Sequence, residues 1–545
     1  GAIVTSDATV NFNKNSVIEF GGDGVGIFGQ KGAHINDNGG TLVTNGHSVE
    51  RIRLTEGKSE TKVDLTLETG NIMSHVINGE AIVNAGVTVD SKVNSKNIIA
   101  LMADGNKNPS PSHTTWIGTP GYDAENNGKI DLSNAVTSTA MYLDSSRGIN
   151  NSEIIMGDKS TGIYGIYKNS TSVYSDALPG TKNTGIITTT ANSKITIGNE
   201  SSAIYAIGFD KVENNGEIEG KDKSVGIYAK NTTSSTKPVN VNNTGDITLG
   251  KGSAGIYLKN AEKLNSEGTI KSSIGSTRNT GIFVQNGQDS EATNNKVLDM
   301  TNKADINLGN GSVGIYSKGS SSDKNKINNS GNITVGDLIE KQGIEKEAPS
   351  IGLYMENTEL TSTGNVTVGK RGIAFYGDNS IISVNGGTLN YQNKGMLAYL
   401  KNGSKFTYSL GDIVADGSPT LYVENSEAKL DGSGNKVNMT VNKDAIGAYV
   451  KGNSKLEGLK EINLAENGTG LVLEETDLTD DAEKIDVRVS TLPVQYGENM
   501  VCRILDSSRA IPSVDELGFM WTAKRQVEKS LKKKNGTILV TGPTG

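Results

Sequence analysis

Two short motifs alternate along most of this 545-residue chain, and they limit what it can fold into. The first is Gly-Ile-Tyr or a close variant, and the second is Asn-x-Gly-x-Ile-x-x-Gly, with clear copies starting at Asn243 and Asn329. Between Gly226 and Gly352, successive copies of the first motif start 29, 26, 33 and 38 residues apart. Copies of the first motif start at Gly165, Gly226, Gly255, Gly281, Gly314, Gly352 and Gly447.

Each motif predicts a very short β-strand that ends at a sharp corner. Isoleucine and tyrosine favour strands, while asparagine and glycine accept the left-handed conformation that corners need. A strand this short cannot bury its apolar face alone, but stacked copies build a continuous core with parallel strands about 4.8 Å apart. The sequence therefore predicts an all-β fold, a right-handed parallel β-helix solenoid. Residues 162–473 would form about 12 turns and a rod of about 60 Å.

The repeat is less regular near the N-terminus, and it stops abruptly near residue 480. Two stretches, 104–120 and 337–350, interrupt it and are predicted to be inserted loops, where solenoids often carry binding function. The predicted regions are irregular β-helix turns over 1–160, repeat-built β-helix over 161–475, a junction over 476–484 and a short α/β unit over 485–545.

The recurring tyrosines of the first motif could stack as a ladder along the solenoid. Adjacent residues of a strand point to opposite faces, so either the isoleucines or the tyrosines face outward. We expect the isoleucines inside and the tyrosines at least partly exposed. The tyrosines assigned to this row are Tyr167, Tyr228, Tyr257, Tyr316 and Tyr354.

Composition and spacing argue against several kinds of site. A formal charge of −8 and a pI near 5.4 disfavour a nucleic-acid partner, which needs a basic surface. Cys502 is the one cysteine, and we expect it to be buried. The histidines show no metal-ligand spacing, so no metal site is predicted and they are expected at the surface. They are His34, His47, His75 and His113.

The paired motifs resemble the passenger domains of type V autotransporters, in particular large repeat-built adhesins. The resemblance covers about 1–480, best over 160–475. It implies passage across the outer membrane, display at the cell surface, and attachment to a host or microbial receptor. It also implies an outer-membrane translocator barrel, which this chain does not contain.

The segment after residue 480 is similar instead to the ATPases of type II secretion and type IV pilus assembly. The similarity rests on Asp486–Pro493, Arg503–Asp506, Leu517–Phe519 and Gly536–Gly545. We predict strands over 485–492 and 500–505, a helix over 515–531, and an apolar strand that leads into a glycine-rich turn.

The resemblance to these ATPases implies nucleotide-binding positions at Arg488, Arg503 and the turn Gly542-Pro543-Thr544-Gly545. A phosphate-binding loop needs Gly-x-x-x-x-Gly-Lys-[Ser/Thr], in which the lysine reaches phosphate and the hydroxyl holds Mg²⁺. This chain supplies only the first four residues of that pattern. We therefore expect no productive ATP or Mg²⁺ binding, no cofactor and no enzymatic activity.

The favoured hypothesis is a non-catalytic surface adhesin. The first alternative is a fragment of a secretion or pilus ATPase. The second is a carbohydrate-active enzyme built on a β-helix, which would need several carboxylates that converge in one groove. A genuine fusion and two separate coding segments joined near 475–485 both remain open.

Overall fold

The structure is a computed structural model, and the chain divides into two compact units, Gly1–Glu475 and Thr476–Gly545. The first unit is a parallel β-solenoid of about 17 turns, which confirms the predicted fold class. The described residues are 2–5, 7–30, 32–105, 123–167, 185–231, 239–287, 296–341, 346–391, 393–417, 419–432, 434–476, 486–494, 497–505, 526, 529, 530 and 532.

Sheet 1 contains 18 strands, and each strand pairs in parallel with its equivalent in the next turn. Twelve of these strands lie between Thr161 and Glu474, in agreement with the predicted number of turns. The strands of sheet 1 are Ala2–Thr5, Gly24–Gln30, Val49–Thr55, Ile72–Ile77, Ile99–Asp104, Thr139–Asp144, Thr161–Ile166, Ser202–Ile207, Val225–Lys230, Ala254–Lys259, Thr280–Gln285, Val313–Lys318, Ile351–Glu356, Ile373–Asp378, Met396–Lys401, Leu421–Glu424, Ile446–Lys451 and Thr469–Glu474.

Sheet 2 follows sheet 1 in nearly every turn and is also parallel throughout. The asparagine of the second motif ends many of its strands. The strands of sheet 2 are Thr9–Asn13, His34–Asn38, Lys58–Thr61, Glu80–Val83, Ala124–Asn126, Arg147–Asn150, Ile186–Thr189, Lys211–Asn214, Asn240–Asn243, Lys263–Ser266, Asp299–Asn302, Asn325–Asn329, Thr358–Ser362, Ile381–Val384, Lys405–Tyr408, Glu427–Leu430 and Lys455–Glu457.

Sheet 3 contains 12 parallel strands and completes the turn before the chain returns to sheet 1. Its strands are Leu65–Leu67, Thr88–Ser91, Lys129–Leu132, Glu153–Met156, Lys194–Ile197, Glu217–Gly220, Ile247–Leu249, Thr269–Ser272, Asp305–Leu308, Ile333–Val335, Val366–Val368 and Leu389–Asn390. Smaller parallel groups are Val17–Glu19 with Thr41–Val43, Ser95–Lys96 with Ala135–Val136, and Ile413–Ala415 with Val437–Val441 and Leu459–Leu464.

The core runs the length of the solenoid and contains the isoleucines of the first motif. In Val225–Lys230, the side chains of Ile227 and Ala229 are fully buried, while Tyr228 points outward and is half-buried. Isoleucine inside and tyrosine outside is the predicted arrangement, and it is confirmed. A fully buried isoleucine stabilises the fold by about 1.5–3 kcal/mol.

Buried asparagines hold the corners between sheets 2 and 3. The Nδ2 of Asn214 donates to Asn243 Oδ1 at 2.7 Å, and Asn243 Nδ2 donates to the Gly245 carbonyl at 2.9 Å. The same contact joins Asn302 and Asn329 at 2.7 Å. Since a buried amide without partners destabilises a fold, this row satisfies the polar groups that a corner brings inside.

One buried ion pair lies near the N-terminal end of the core. The Arg51 Nη2 donates to Asp37 Oδ1 at 2.8 Å and to the Gly40 carbonyl at 2.6 Å. The Asp37 side chain is fully buried, and the Arg51 guanidinium lies 4.9 Å from the centre of the Phe12 ring. The pair neutralises a charge that the apolar core could not hold alone.

The second unit is described mainly by one antiparallel hairpin, Asp486–Val494 with Gly497–Leu505. This agrees with the strands predicted over 485–492 and 500–505. In the predicted helix over 515–531, the described residues Gln526, Lys529 and Ser530 are helical. The apolar strand predicted from residue 536 lies outside the described residues. Cys502 pairs with Val489 in the hairpin, and its predicted burial remains a prediction.

The asparagine row gives a testable prediction. Replacing Asn243→Leu removes three side-chain hydrogen bonds: the one that Asn243 accepts from Asn214 Nδ2 and the two that it donates to the carbonyls of Gly245 and Glu267. We expect the free energy of local opening in the neighbouring turns to fall by about 2 kcal/mol or more. Amide hydrogen exchange is the suitable readout, because a solenoid opens turn by turn.

The outward-facing neighbour Asn242 provides the matched control. The variant Asn242→Leu should leave hydrogen-exchange protection in those turns close to that of the parent chain. Equal loss of protection in the two variants would show that the buried row does not stabilise the corner.

Candidate functional site

An aromatic ladder twelve rings long lies on the outward face of sheet 1. Parallel register sets each ring above its equivalent in the next turn, so that Tyr228 pairs with Tyr257 and Tyr354 with Tyr376. Ring centroids of consecutive members are 4.2–5.4 Å apart. The ladder consists of Tyr142, Tyr164, Tyr205, Tyr228, Tyr257, Phe283, Tyr316, Tyr354, Tyr376, Tyr399, Tyr422 and Tyr449.

The predicted tyrosine row is present, but one of the tyrosines assigned to it was wrong and several of its members were not predicted. Tyr167 does not belong to the ladder; it follows the strand Thr161–Ile166 and packs against the core. Its segment contains Gly-Ile-Tyr twice, and the first copy, which ends at Tyr164, provides the ladder ring. The missed rings include Tyr142, Tyr205 and Tyr376. In these three copies an alanine stands two residues before the tyrosine, where the motif has glycine. A search that allowed any small residue there would have found them.

Stacking covers the ring faces of the ladder, while its side chains lie on the outward side of sheet 1 and are half-buried. Neighbouring ring planes lie within 31° of each other, and most are closer to parallel. Each internal ring is therefore covered on both faces by its neighbours, and each aromatic pair adds about 0.5–1.5 kcal/mol beyond area burial. A ligand that stacks flat on an aromatic face finds no free face along the row.

A charged column borders the ladder on the sheet 2 side. The Lys318 Nζ lies 2.8 Å from Glu356 Oε1, Lys401 lies 3.0 Å from Asp378 Oδ2, and Lys451 lies 3.1 Å from Glu474 Oε1. Hydrogen bonds with Tyr376 and Asp378 raise the pKa of Lys401. The column contains Lys230, Lys259, Gln285, Lys318, Glu356, Asp378, Lys401, Glu424, Lys451 and Glu474.

Before Tyr142, the register position of the ladder is occupied by Met102, His75 and Arg53. The sequence predicts His75 at the surface, but its side chain is buried, because it stacks in register between Arg53 and Met102. His75 Nδ1 lies 3.4 Å from Glu50 Oε2. Burial alone would raise the pKa of Glu50, but the hydrogen bond and charge of His75, with the charge of Arg53, outweigh it and lower that pKa.

Two other predicted surface histidines are half-buried and contact carboxylates. The His34 Nε2 lies 2.6 Å from Glu60 Oε2, and His47 Nδ1 lies 3.6 Å from Asp23 Oδ1. His113 lies outside the described residues. Within the described part of the chain, no three His, Cys, Asp or Glu side chains are grouped so that they could hold a metal ion.

Four of the longer connections in the chain join a strand of sheet 1 to the following strand of sheet 2, and so belong to the same edge of the solenoid. The predicted insertion at 104–120 falls largely outside the described residues, but the strands that flank it fix its place on this edge. Short connections on the same edge need only three residues, as between Ile207 and Lys211. The connections on this edge that fall outside the described residues are 106–122, 168–184, 232–238 and 288–295.

The insertion predicted over 337–350 lies on a different edge, between sheet 3 and sheet 1. Its described part folds back on itself, since Ile339 and Ala348 exchange backbone hydrogen bonds at 2.9 Å. The Arg278 Nη2 donates to the Lys346 carbonyl at 2.6 Å and ties the insertion to a neighbouring turn.

A shallow groove of about 430 Å³ lies on this second edge, between Lys271 and Asn310. Its serines are already engaged within the chain: Ser272 Oγ accepts from Asn279 Nδ2 at 2.8 Å and from the Gly309 N–H at 3.1 Å. The residues that line it include no carboxylate. It therefore lacks the converging acids that a glycan-cleaving site would need.

In the second unit, the hairpin brings the two predicted nucleotide-binding arginines together. Arg488 and Arg503 are direct register partners across its strands. The four residues of the predicted phosphate-binding turn, Gly542, Pro543, Thr544 and Gly545, lie outside the described residues. The role of all six positions remains a prediction.

The comparisons with known proteins concern this C-terminal segment. The family described as Type II/IV secretion system protein matches residues 475–545. The chain is 51% identical over 63 residues to the type IV pilus assembly ATPase PilB of Pseudomonas aeruginosa, covering 12% of this chain and 11% of that protein. It is 48% identical over 61 residues to the type II secretion system protein E of Dickeya dadantii, covering 11% and 12%.

These relatives cover a small part of the chain, and the chain spans about a ninth of their own length. No solved structure matches the chain. In the part that the structure describes, no helix is long and apolar enough to span a membrane.

The ladder gives a prediction about alkaline stability. Burial, reinforced by the charge of Glu356, raises the pKa of Tyr316 to about 12. Unfolded tyrosine titrates near pH 10, so between about pH 10 and 12 the unfolded chain loses a proton that the folded chain keeps. The contribution of neutral Tyr316 to the free energy of unfolding is thus complete below about pH 10 and is lost as the pH rises toward 12.

Replacing Tyr316→Phe keeps the stacked ring and removes the titrating group. We expect its thermal unfolding midpoint to fall less steeply than that of the parent chain between about pH 10 and 12. Phenolate absorbance during the same titration reports the ionisation directly. Identical slopes for the two proteins would contradict the assignment.

Proposed function

We propose that residues 1–475 act as a surface-displayed, autotransporter-type passenger that attaches the cell to a host or microbial receptor. The observation that carries this proposal is the placement of four long insertions on the single edge between sheets 1 and 2. In repeat solenoids, insertions grouped on one side often form the binding surface. The continuous core supports this role, since it holds those insertions in a fixed order along a long rod.

The charges beside this edge suit contact with a polar receptor. The charged column lies along the side of sheet 1 that borders this edge. Lys230 comes shortly before the insertion at 232–238, and Lys259 is its register partner in the next turn. Charged groups at the rim of an interface mainly speed association and select partners, while the inserted loops would provide the contacts. Display at the cell surface, with export through an outer-membrane translocator, belongs to the same proposal.

For the second unit we infer an origin in the secretion and pilus ATPase family, and no nucleotide binding by these 545 residues themselves. The match to residues 475–545 supports the origin. The sequence contains Gly542–Gly545 of the loop but not the lysine and hydroxyl that bind phosphate and Mg²⁺. Such an ATPase acts at the cytoplasmic side of the membrane, whereas a passenger acts outside the cell. On this proposal the two units derive from proteins of different compartments.

Adhesion can be tested by shortening the insertions. The labelled full chain is first tested for binding to panels of host cells and bacterial cells. Replacing 232–238 or 288–295 with Asn-Gly should then weaken binding by about tenfold or more, equivalent to about 1.4 kcal/mol. Circular dichroism and the unfolding midpoint should remain unchanged, because the flanking strands keep their register.

The matched control shortens the opposite edge, replacing 342–345 with Asn-Gly. Binding should survive this change. Failure of the parent chain to bind any cell in the panels, or equal loss in the control, would reject the adhesive edge.

Nucleotide binding is tested by titrating the full chain with ATP and Mg²⁺ in a calorimeter. We expect no saturable heat, because the phosphate-binding groups are incomplete. The full-length pilus ATPase of Pseudomonas aeruginosa serves as the positive control. A dissociation constant near 1 μM, equivalent to about −8.2 kcal/mol, would show a working site and overturn this part of the proposal.

A further inference from the structure

The aromatic ladder holds eleven phenols in a fixed row, interrupted by one phenylalanine. Phe283 stacks against both neighbours, 4.5 Å from Tyr257 and 4.6 Å from Tyr316 between ring centroids. It divides the tyrosines into an N-terminal block from Tyr142 to Tyr257 and a C-terminal block from Tyr316 to Tyr449. The two blocks have the same backbone register but are joined by a ring without a hydroxyl.

Within each block, neighbouring phenols are held in near contact and in the same orientation. The centroid distance is 4.2 Å for Tyr354 and Tyr376, with ring planes 11° apart. It is 4.4 Å for Tyr205 and Tyr228, with planes 9° apart. The two rings of each pair are stacked in register, so their phenol groups lie side by side. The ring carbons next to each hydroxyl are therefore neighbours as well.

The ladder is also accessible to reagents in solution. All twelve rings lie on the outward side of sheet 1 and are half-buried, in contrast to the buried Tyr391 and Tyr408. An oxidant can thus take an electron from an exposed ring edge without opening the solenoid. The radical that results already has a second phenol at coupling distance.

We propose that the ladder is a site of oxidative modification, at which a peroxidase with hydrogen peroxide links tyrosines of adjacent turns as dityrosine. Each of two phenols loses one electron and its hydroxyl proton. The two phenoxyl radicals form one carbon–carbon bond between ortho carbons, and the two hydrogens on those carbons return to the oxygens. One hydrogen peroxide takes up the two electrons and two protons and becomes two waters.

Each link fixes one turn covalently to the next. Because a solenoid is held together by contacts between neighbouring turns, and opens by separating them, such links would oppose opening most where they form. Phe283 cannot form a phenoxyl radical. Neither the step from Tyr257 to Phe283 nor the step from Phe283 to Tyr316 can therefore be linked, and the two blocks remain unjoined.

The experiment treats the dilute full chain with a plant haem peroxidase and hydrogen peroxide. Dityrosine fluorescence should appear without growth in molecular mass on a denaturing gel. Peptide mapping should show links between ladder neighbours within each block, each with the loss of two hydrogens, and none between Tyr257 and Tyr316. The same treatment in urea should abolish this pattern, because the register is lost.

Two variants distinguish the ladder from general tyrosine oxidation. Tyr376→Phe keeps the stack and should remove the links to Tyr354 and Tyr399 while leaving those of the N-terminal block. Phe283→Tyr should add links to Tyr257 and Tyr316. As the matched control, Tyr408→Phe changes a buried tyrosine outside the ladder and should leave the map unchanged.

Links spread over off-ladder tyrosines such as Tyr167, or links only between molecules, would overturn the proposal. So would a Phe283→Tyr variant that gains no new link. Circular dichroism of each variant confirms that the solenoid is intact before oxidation, so a missing link reports on coupling and not on folding.

Discussion

In-register parallel pairing between successive turns is the constraint on which the rest of the structure depends. Ile227 pairs with Ile256, Tyr228 with Tyr257 and Lys230 with Lys259. Because each residue meets its equivalent one strand spacing away, about 4.8 Å, a motif of a few residues becomes a column along the whole rod. The core, the asparagine corners, the aromatic ladder and the charged column all result from this pairing.

The same pairing decides what each column can do. Stacked isoleucines bury apolar surface, and stacked asparagines satisfy one another's amides, as Asn214 and Asn243 do. Stacked tyrosines cover one another's faces on the outward side of sheet 1. A column of one charge would repel itself, and the charged column mixes both signs: Glu356 follows Lys318 and Lys401 follows Asp378, while Lys230 with Lys259 and Glu356 with Asp378 pair like charges. The repeat permits variety at the edges and insertions, where the proposed binding surface lies.

The C-terminal segment does not continue the parallel pairing of the solenoid. The solenoid strands end at Glu474, the contact-based boundary falls after Glu475, and the match to the Type II/IV secretion system family begins at residue 475. Its described sheet is an antiparallel hairpin, whereas sheets 1, 2 and 3 are parallel throughout. The end of the solenoid, the boundary between the two compact units and the start of the family match thus all fall near residue 475.

The sequence by itself determined the fold, because repeated Gly-Ile-Tyr and Asn-x-Gly motifs have few ways to bury their isoleucines other than stacking. It also determined that tyrosine faces outward, since adjacent strand residues point to opposite sides. Only the tertiary structure decided which tyrosines stack: Tyr164 and not Tyr167, and Tyr142 and Tyr205 after alanines. Likewise, only strand pairing placed four distant insertions on one edge and buried His75 between its neighbours in register. Which tyrosine joins the ladder depends on the register between turns. A local motif does not determine that register when two copies lie three residues apart.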